Sequence, residues 1–191
     1  MQMIRQATEK DGEALRSIYA YYVENTAITF ECSVPSAGEF MDRMKRVLGV
    51  YPYFVAEIND EILGFACATP FNERGAYVYD VETTIYLRHD IQKQGLGRKL
   101  YGALEHALKL QGVVNLYACI ALPDEDDEYL TDNSAKFHEH LGYKLAGTFR
   151  KCGYKFNRWY NMIWMEKQIN EPAPSPPQIK RFDEIQHLLS L

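Results

Sequence analysis

The chain has 191 residues, enough for one domain with a full core. Hydrophobic residues make up 47% and charged residues 25%, the balance of a folded globular protein, and a net charge of −5 argues against general nucleic-acid binding. The opening MQMIRQATEKDGE has no apolar signal region, and the longest charge-free run, residues 110–123, falls short of the roughly 20 residues a spanning helix needs, so the expectation is a cytoplasmic protein with no membrane partner.

In chain order, residues 3–7 read as a first strand. Thr8, with Asp11 three residues on, caps a helix whose apolar face is Leu15, Ile18, Tyr19, Tyr22 and Val23. Ser36 and Glu39 form a capping box for a second helix faced by Phe40, Met44, Val47 and Leu48. Residues 53–58 and 62–69 are strands joined at Asn59-Asp60-Glu61, and 70–75 is a loop. Residues 76–87 make a long strand. Val81, Thr83 and Ile85 share one face of it; Glu82, Thr84 and Tyr86 share the other. A glycine turn at 92–97 then leads into a helix that repeats Leu100, Leu104, Ala107 and Leu108 and stops at Gly112.

Residues 113–121 are an apolar strand and 122–132 an acidic loop. Asn133 caps a short helix at 134–141, closed by Gly142. Strands at 143–150 and 160–167 flank a basic, aromatic connection. The order βααβββαβαββ is α/β, a mixed sheet with short connections in one domain, residues 1–170. Residues 171–191 form an arm in which four prolines within six residues enforce an extended path. Phe182, Ile185, Leu188 and Leu189 are spaced there for a small amphipathic turn, docked on the body or on a second subunit.

No metal site is expected. The four cysteines show no CxxC and the five histidines no zinc spacing. Cys67 and Cys119 lie in apolar runs and read as core. The six carboxylates of the acidic loop read as solvated surface, without an EF-hand pattern. The turn Gln-Lys-Gln-Gly-Leu-Gly puts two glycines ahead of a helix, which makes an anion site of backbone N–H groups and helix dipole. It is neither GxGxxG nor GxxxxGK[ST]. Glu82 is a mid-strand carboxylate among apolar and hydroxyl side chains. It is either an exposed strand residue or a general base raised toward neutrality by desolvation.

Gln-x-x-Gly-x-Gly between a strand and an amphipathic helix resembles the pyrophosphate loop of the GCN5-related N-acetyltransferases. Further pieces, in order, are similar to the phosphinothricin N-acetyltransferase group: IRQAT at 4–8, YVENTAITFE at 22–31, YPYFVAE at 51–57, VETTIYL at 81–87, NSAKFHEHLGY at 133–143 and GYKFNRW at 153–159. The resemblance implies a sheet that splays apart around acetyl-CoA as co-substrate, and a homodimer. It implies Glu82 as general base and His138 as an auxiliary proton carrier. It places pyrophosphate on Gln92, Lys93, Gln94, Gly95, Leu96 and Gly97, with Arg98 and Lys99 adding charge. Ile85, Tyr86 and Leu87 would pair with the pantetheine arm by backbone, and Asn133 by side chain. Phe30, Arg74, Tyr77, Thr84 and Tyr86 would line the acceptor pocket, Arg74 clamping a carboxylate.

The acceptor is thus expected to be the amine of a small amino acid or analogue, of phosphinothricin, methionine sulfoximine or methionine sulfone type. Asn72, where herbicide-detoxifying members carry a second basic residue, weakens the case for a doubly anionic acceptor. A different amine (polyamine, antibiotic or protein N-terminus) and a non-catalytic acetyl-CoA-binding module stay open as alternatives.

Overall fold

A computed structural model describes residues 2–91 and 95–189. The elements are β1 (Gln2–Gln6), α1 (Gly12–Asn25), α2 (Ala37–Val47), β2 (Tyr53–Ile58), β3 (Glu61–Pro70), β4 (Asp80–Leu87), α3 (Leu96–Gln111), β5 (Asn115–Leu122), α4 (Asn133–His140), β6 (Lys144–Lys155), β7 (Arg158–Gln168) and α5 (Phe182–Ile185). The strands form one mixed sheet in the order β1-β2-β3-β4-β5-β7-β6. The expected element order is present, with α5 added.

Helices cover the sheet from both sides. Leu15, Ile18, Tyr19, Phe40 and Met44 of α1 and α2 pack on Val55, Phe65 and Cys67. On the other face Leu100, Leu104, Ala107 and Leu108 of α3 pack on Phe54, Ala66, Val81, Leu116 and Ile163. The second capping box is present: Ser36 Oγ accepts from Glu39 N at 3.2 Å, and Ser36 N donates to Glu39 Oε2 at 2.8 Å. At the first, Thr8 N donates to Asp11 Oδ2 at 2.7 Å ahead of a short 3-10 turn.

Four expectations need correction. β4 begins at Asp80, not residue 76. Its ladder with β3 ends at Pro70 opposite Val81, and proline has no N–H to continue it; Gly75–Tyr77 form a 3-10 turn instead. The connection at 151–159 is mostly strand. A bulge between Phe149 and Gly153 absorbs the irregular stretch, and Phe156 and Asn157 turn the chain with φ of 51° and 59°. The N-cap of α4 is Asp132, with Asn133 its first residue, and Asn133 N donates to Thr131 Oγ1. Cys119 is exposed rather than core.

The C-terminal segment folds back onto the body. Lys180 N donates to Gln111 O, Phe182 N to Val50 O and Asp183 N to Gly49 O. Phe182 is 1% exposed and meets Phe54 edge-on at 5.7 Å. Truncating a buried aromatic side chain costs about 3–5 kcal/mol, so Phe182→Ala is expected to lower the urea midpoint accordingly. A change within about 0.5 kcal/mol, as at surface positions, would mean the arm merely rests on the body.

Candidate active site

The site begins where β4 and β5 stop pairing. They run parallel, with register partners Asp80 and Asn115, Val81 and Leu116, and Glu82 and Tyr117, and none beyond. Past Glu82 a side chain substitutes for the ladder, because Thr83 Oγ1 donates to Tyr117 O at 3.1 Å. Tyr101, Tyr143 and His138 fill the gap behind Thr83, ring against ring edge-on. The strands therefore diverge around a cavity of about 260 Å³, bounded among others by Glu82, Thr84, Tyr86, Tyr101, Cys119 and His138.

Glu82 faces this cavity from the sheet side that carries α1 and α2. Burial alone raises its pKa above the ordinary carboxylate value, and no hydrogen bond or ion pair reaches the carboxylate among the described residues. An uncompensated carboxylate in a cleft is a proton acceptor held in readiness.

His138 lines the cavity but is 3% exposed, not a surface histidine. Its Nδ1 lies 2.7 Å from Ser134 O, which only accepts, so Nδ1 carries the proton. Desolvation lowers its pKa and keeps the ring neutral; Nε2 then accepts from the Tyr101 hydroxyl at 2.8 Å. Thr83 Oγ1, having given its proton to Tyr117 O, accepts from Tyr143. The Tyr101 hydroxyl at the cavity wall thus donates inward, to His138, and burial pushes its pKa well up. Sequence reasoning missed Tyr101. Its signal was a polar aromatic one position from Leu100, on the buried side of α3.

The glycines divide their work. Gly95 is the N-cap of α3 at φ 71°, a left-handed conformation that suits glycine, with open space around its missing Cβ. Gly97 sits inside the first turn instead of ahead of the helix. A Cβ there would lie 3.1 Å from the Phe137 ring. Arg98 and Lys99 are exposed on the same turn and Leu96 is buried. These features suit an anionic phosphate at the helix start. Gln92, Lys93 and Gln94 lie outside the described residues.

Of the other expected residues, Phe30, Thr84, Ile85 and Tyr86 line the cavity. Leu87 is outside this lining, its carbonyl accepting from the Tyr22 hydroxyl. Asn133 is exposed at the start of α4, next to the cavity residue Ser134. Arg74 and Tyr77 are exposed on the loop before β4, outside this lining. Tyr77 meets Phe71 edge-on, and Phe71 packs on Tyr117 at 4.3 Å, the register partner of Glu82. The acidic loop is tied down internally. Asp124 accepts from Asn161, Asp127 from Tyr160, and Glu128 from Arg158. Among the described residues no cluster of metal-ligating side chains occurs, and no helix is long and apolar enough to cross a membrane.

A sheet parted beside a helix that starts in glycines, with an isolated carboxylate in the parting, is the architecture of an acyl-CoA-dependent transferase. The chain belongs to the GNAT family: the model described as "Acetyltransferase (GNAT) domain" matches residues 4–164. It is an acetyl-CoA-dependent acetyltransferase. The phosphinothricin N-acetyltransferase of Streptomyces viridochromogenes is 35% identical over 174 residues, covering 91% of each chain. The L-methionine sulfoximine/L-methionine sulfone acetyltransferase of Salmonella typhimurium is 29% identical, covering 89% of this chain and 96% of its own. Among solved structures, a phosphinothricin acetyltransferase from Sinorhizobium meliloti in complex with acetyl-CoA superposes with a TM-score of 0.82. It is 26% identical, covering 95% of this chain and 98% of its own.

Proposed function

We propose that the protein transfers the acetyl group of acetyl-CoA directly to the α-amine of a small amino acid or analogue, with both substrates bound at once. The observation that carries this reading is Glu82: desolvated, without a partner, and placed where the two strands part. Its carboxylate takes a proton from the attacking ammonium, directly or through a water, since only the neutral amine has a lone pair for the thioester carbonyl. The tetrahedral oxyanion collapses and expels the CoA thiolate, which takes its proton from water, since burial holds the Tyr101 proton tightly and directs it at His138 Nε2. A CoA thiol has a pKa near that of cysteine, about 8.5, so the thiolate leaves without a dedicated acid.

Direct attack is favoured over an acetyl-enzyme because the one thiol on the cavity wall is a poor nucleophile. Although Cys119 opens to the cavity, desolvation by the surrounding walls, with Glu82 nearby, pushes its thiol up to about 11. The polycation reading is weakened because Asp127, Glu128 and Asp132 of the acidic loop are already paired with Arg158 and Lys136. The names of the relatives support an amino-acid acceptor. Arg74 is assigned the carboxylate, swinging in from its loop beside Tyr77. A second copy of the chain is the proposed partner, through the edge hairpin β6–β7, where Leu145, Phe149, Tyr154 and Trp159 are 53–60% exposed; sedimentation equilibrium reads it, a monomer mass counting against it.

The test is thiol release from acetyl-CoA against phosphinothricin, methionine sulfoximine, methionine sulfone, the common amino acids and a polyamine. Turnover with an amino-acid-type amine is expected, with KM raised in Arg74→Ala. Turnover of the polyamine alone would overturn the acceptor assignment, and an unchanged KM in the variant would remove Arg74 from the site.

A further inference from the structure

A second cavity, of about 240 Å³, lies between α1, α2 and the sheet. It shares Thr84 and Tyr86 with the first. Register explains the adjacency. Thr69 is the β3 partner of Glu82, and Cys67 is the partner of Thr84, so these four side chains make one tile on the same sheet face. Cys67, Thr69 and Thr84 belong to the second cavity, whose remaining walls include Phe40 and Met44 of α2, with Phe65 beneath. Between the cavities stands a hydroxyl contact, Tyr19 to Thr29 Oγ1 at 2.9 Å, Tyr19 lining the second cavity and Thr29 the first. At the mouth Arg43 pairs with Glu31. Most of its walls are core residues, and the acetyl-transfer steps do not use it.

We propose that this cavity is the side-chain subsite for the acceptor: the amine stays at Glu82 while an uncharged aliphatic, thioether or aromatic side chain enters over Thr84. The inference rests on the amino-acid reading given above. Two strand residues span about 7 Å, the reach of a methionine or phenylalanine side chain from its own amine. The walls are apolar and aromatic. The mouth is electrically matched by Arg43 and Glu31, and Cys67 beneath is a neutral thiol, pushed up to about 12 by burial and by Glu82. An acidic side chain would meet Glu31 and Glu82, and a basic one would meet Arg43. The Arg43–Glu31 pair is already engaged, and Glu82 is occupied by the acceptor amine itself.

The experiment compares kcat/KM across two acceptor series. One is alanine, leucine, methionine, phenylalanine and aspartate. The other is ethylamine, pentylamine and phenethylamine, which lack the carboxylate. Each is run with the wild-type protein, with Cys67→Leu, which fills the floor of the cavity, and with Phe40→Ala, which widens it. The wild type is expected to favour methionine, leucine and phenylalanine over alanine and aspartate by at least about tenfold, the low end for differences of a methylene or more in an apolar pocket. Cys67→Leu should narrow that gap by lowering the large acceptors most. Phe40→Ala should move the preference toward larger side chains.

Opposite changes in the two variants cannot arise from a general loss of folding, which would scale every acceptor alike. Amino acids turned over without size preference would overturn the subsite and leave the amino-acid reading intact. Size preference among the simple amines alone would support the subsite and overturn that reading. Equal scaling of all acceptors in both variants, or no turnover in either series, would overturn the subsite.

Discussion

Replacing Glu82 by Gln is expected to lower kcat/KM by about 10²- to 10⁴-fold, the usual contribution of a positioned general base. Acetyl-CoA affinity should be kept, because the substitution is isosteric and Glu82 faces the acceptor side of the parted strands. The pH dependence follows from the direction of the shift. Burial raises the Glu82 pKa, and only the ionised form accepts a proton, so the wild-type kcat/KM should climb as pH rises through that raised value and then level off. In Glu82→Gln that rise should be missing.

Stability should move the opposite way. A carboxyl whose folded-state pKa is raised binds its proton more tightly in the folded chain than in the unfolded one. At pH below its ordinary value of 4.5 both states are protonated and the residue costs nothing. As pH rises past 4.5 the unfolded state ionises first, and the cost to the fold grows until the folded pKa is passed. Glu82→Gln should therefore melt higher than wild type at pH 7 and match it near pH 4. A variant that loses activity and also melts lower at pH 7 would indicate that Glu82 holds the sheet together instead of serving as a base.

What could be read from sequence divides by range of interaction. The β2–β3 hairpin was legible because its signal is local: alternating strands around Asn59 and Asp60, both of which take the left-handed conformation, with φ of 51° and 65°. The Ser36 to Glu39 capping box was legible for the same reason. The facing of β4 was legible from period two, which put Glu82 with Thr84 and Tyr86. What surrounds Glu82 was not. The end of the β4–β5 pairing is a parallel, long-range feature set by Thr83, Tyr101, Tyr143 and His138, which come from three separate elements and the connection between α4 and β6. Cys119 was misread on the same account, since its neighbour strand has moved away and opened a wall that alternation alone would bury. Arg74 shows the limit of resemblance. A motif can carry a residue's role, but its distance from the cavity wall depends on a loop whose path the 3-10 turn at Gly75–Tyr77 sets.

The second large effect is expected at Gly97. On the proposed reading the first turn of α3 satisfies two neighbours at once, the Phe137 ring on the protein side and the diphosphate of acetyl-CoA at its N–H groups. A Cβ at residue 97 already stands 3.1 and 3.2 Å from Phe137 ring atoms, so the two branches of valine force Phe137 aside, and with it His138 and Ser134 on the same turn of α4. A hydrogen bond to a charged group is worth about 1.5–3 kcal/mol. Tilting the turn so that one N–H misses its phosphate oxygen should therefore raise the Kd for acetyl-CoA by roughly ten- to a hundredfold in calorimetry. Gly95→Ala supplies the contrast. Among the described residues nothing stands within 4 Å of its missing Cβ, so the penalty is that of the positive φ, about 1 kcal/mol, and it should appear mainly as a small loss of thermal stability. If Gly97→Val binds acetyl-CoA as tightly as wild type while Gly95→Ala does not, the phosphates are held by the loop ahead of the helix, and the role of Gly97 is only to make room for Phe137.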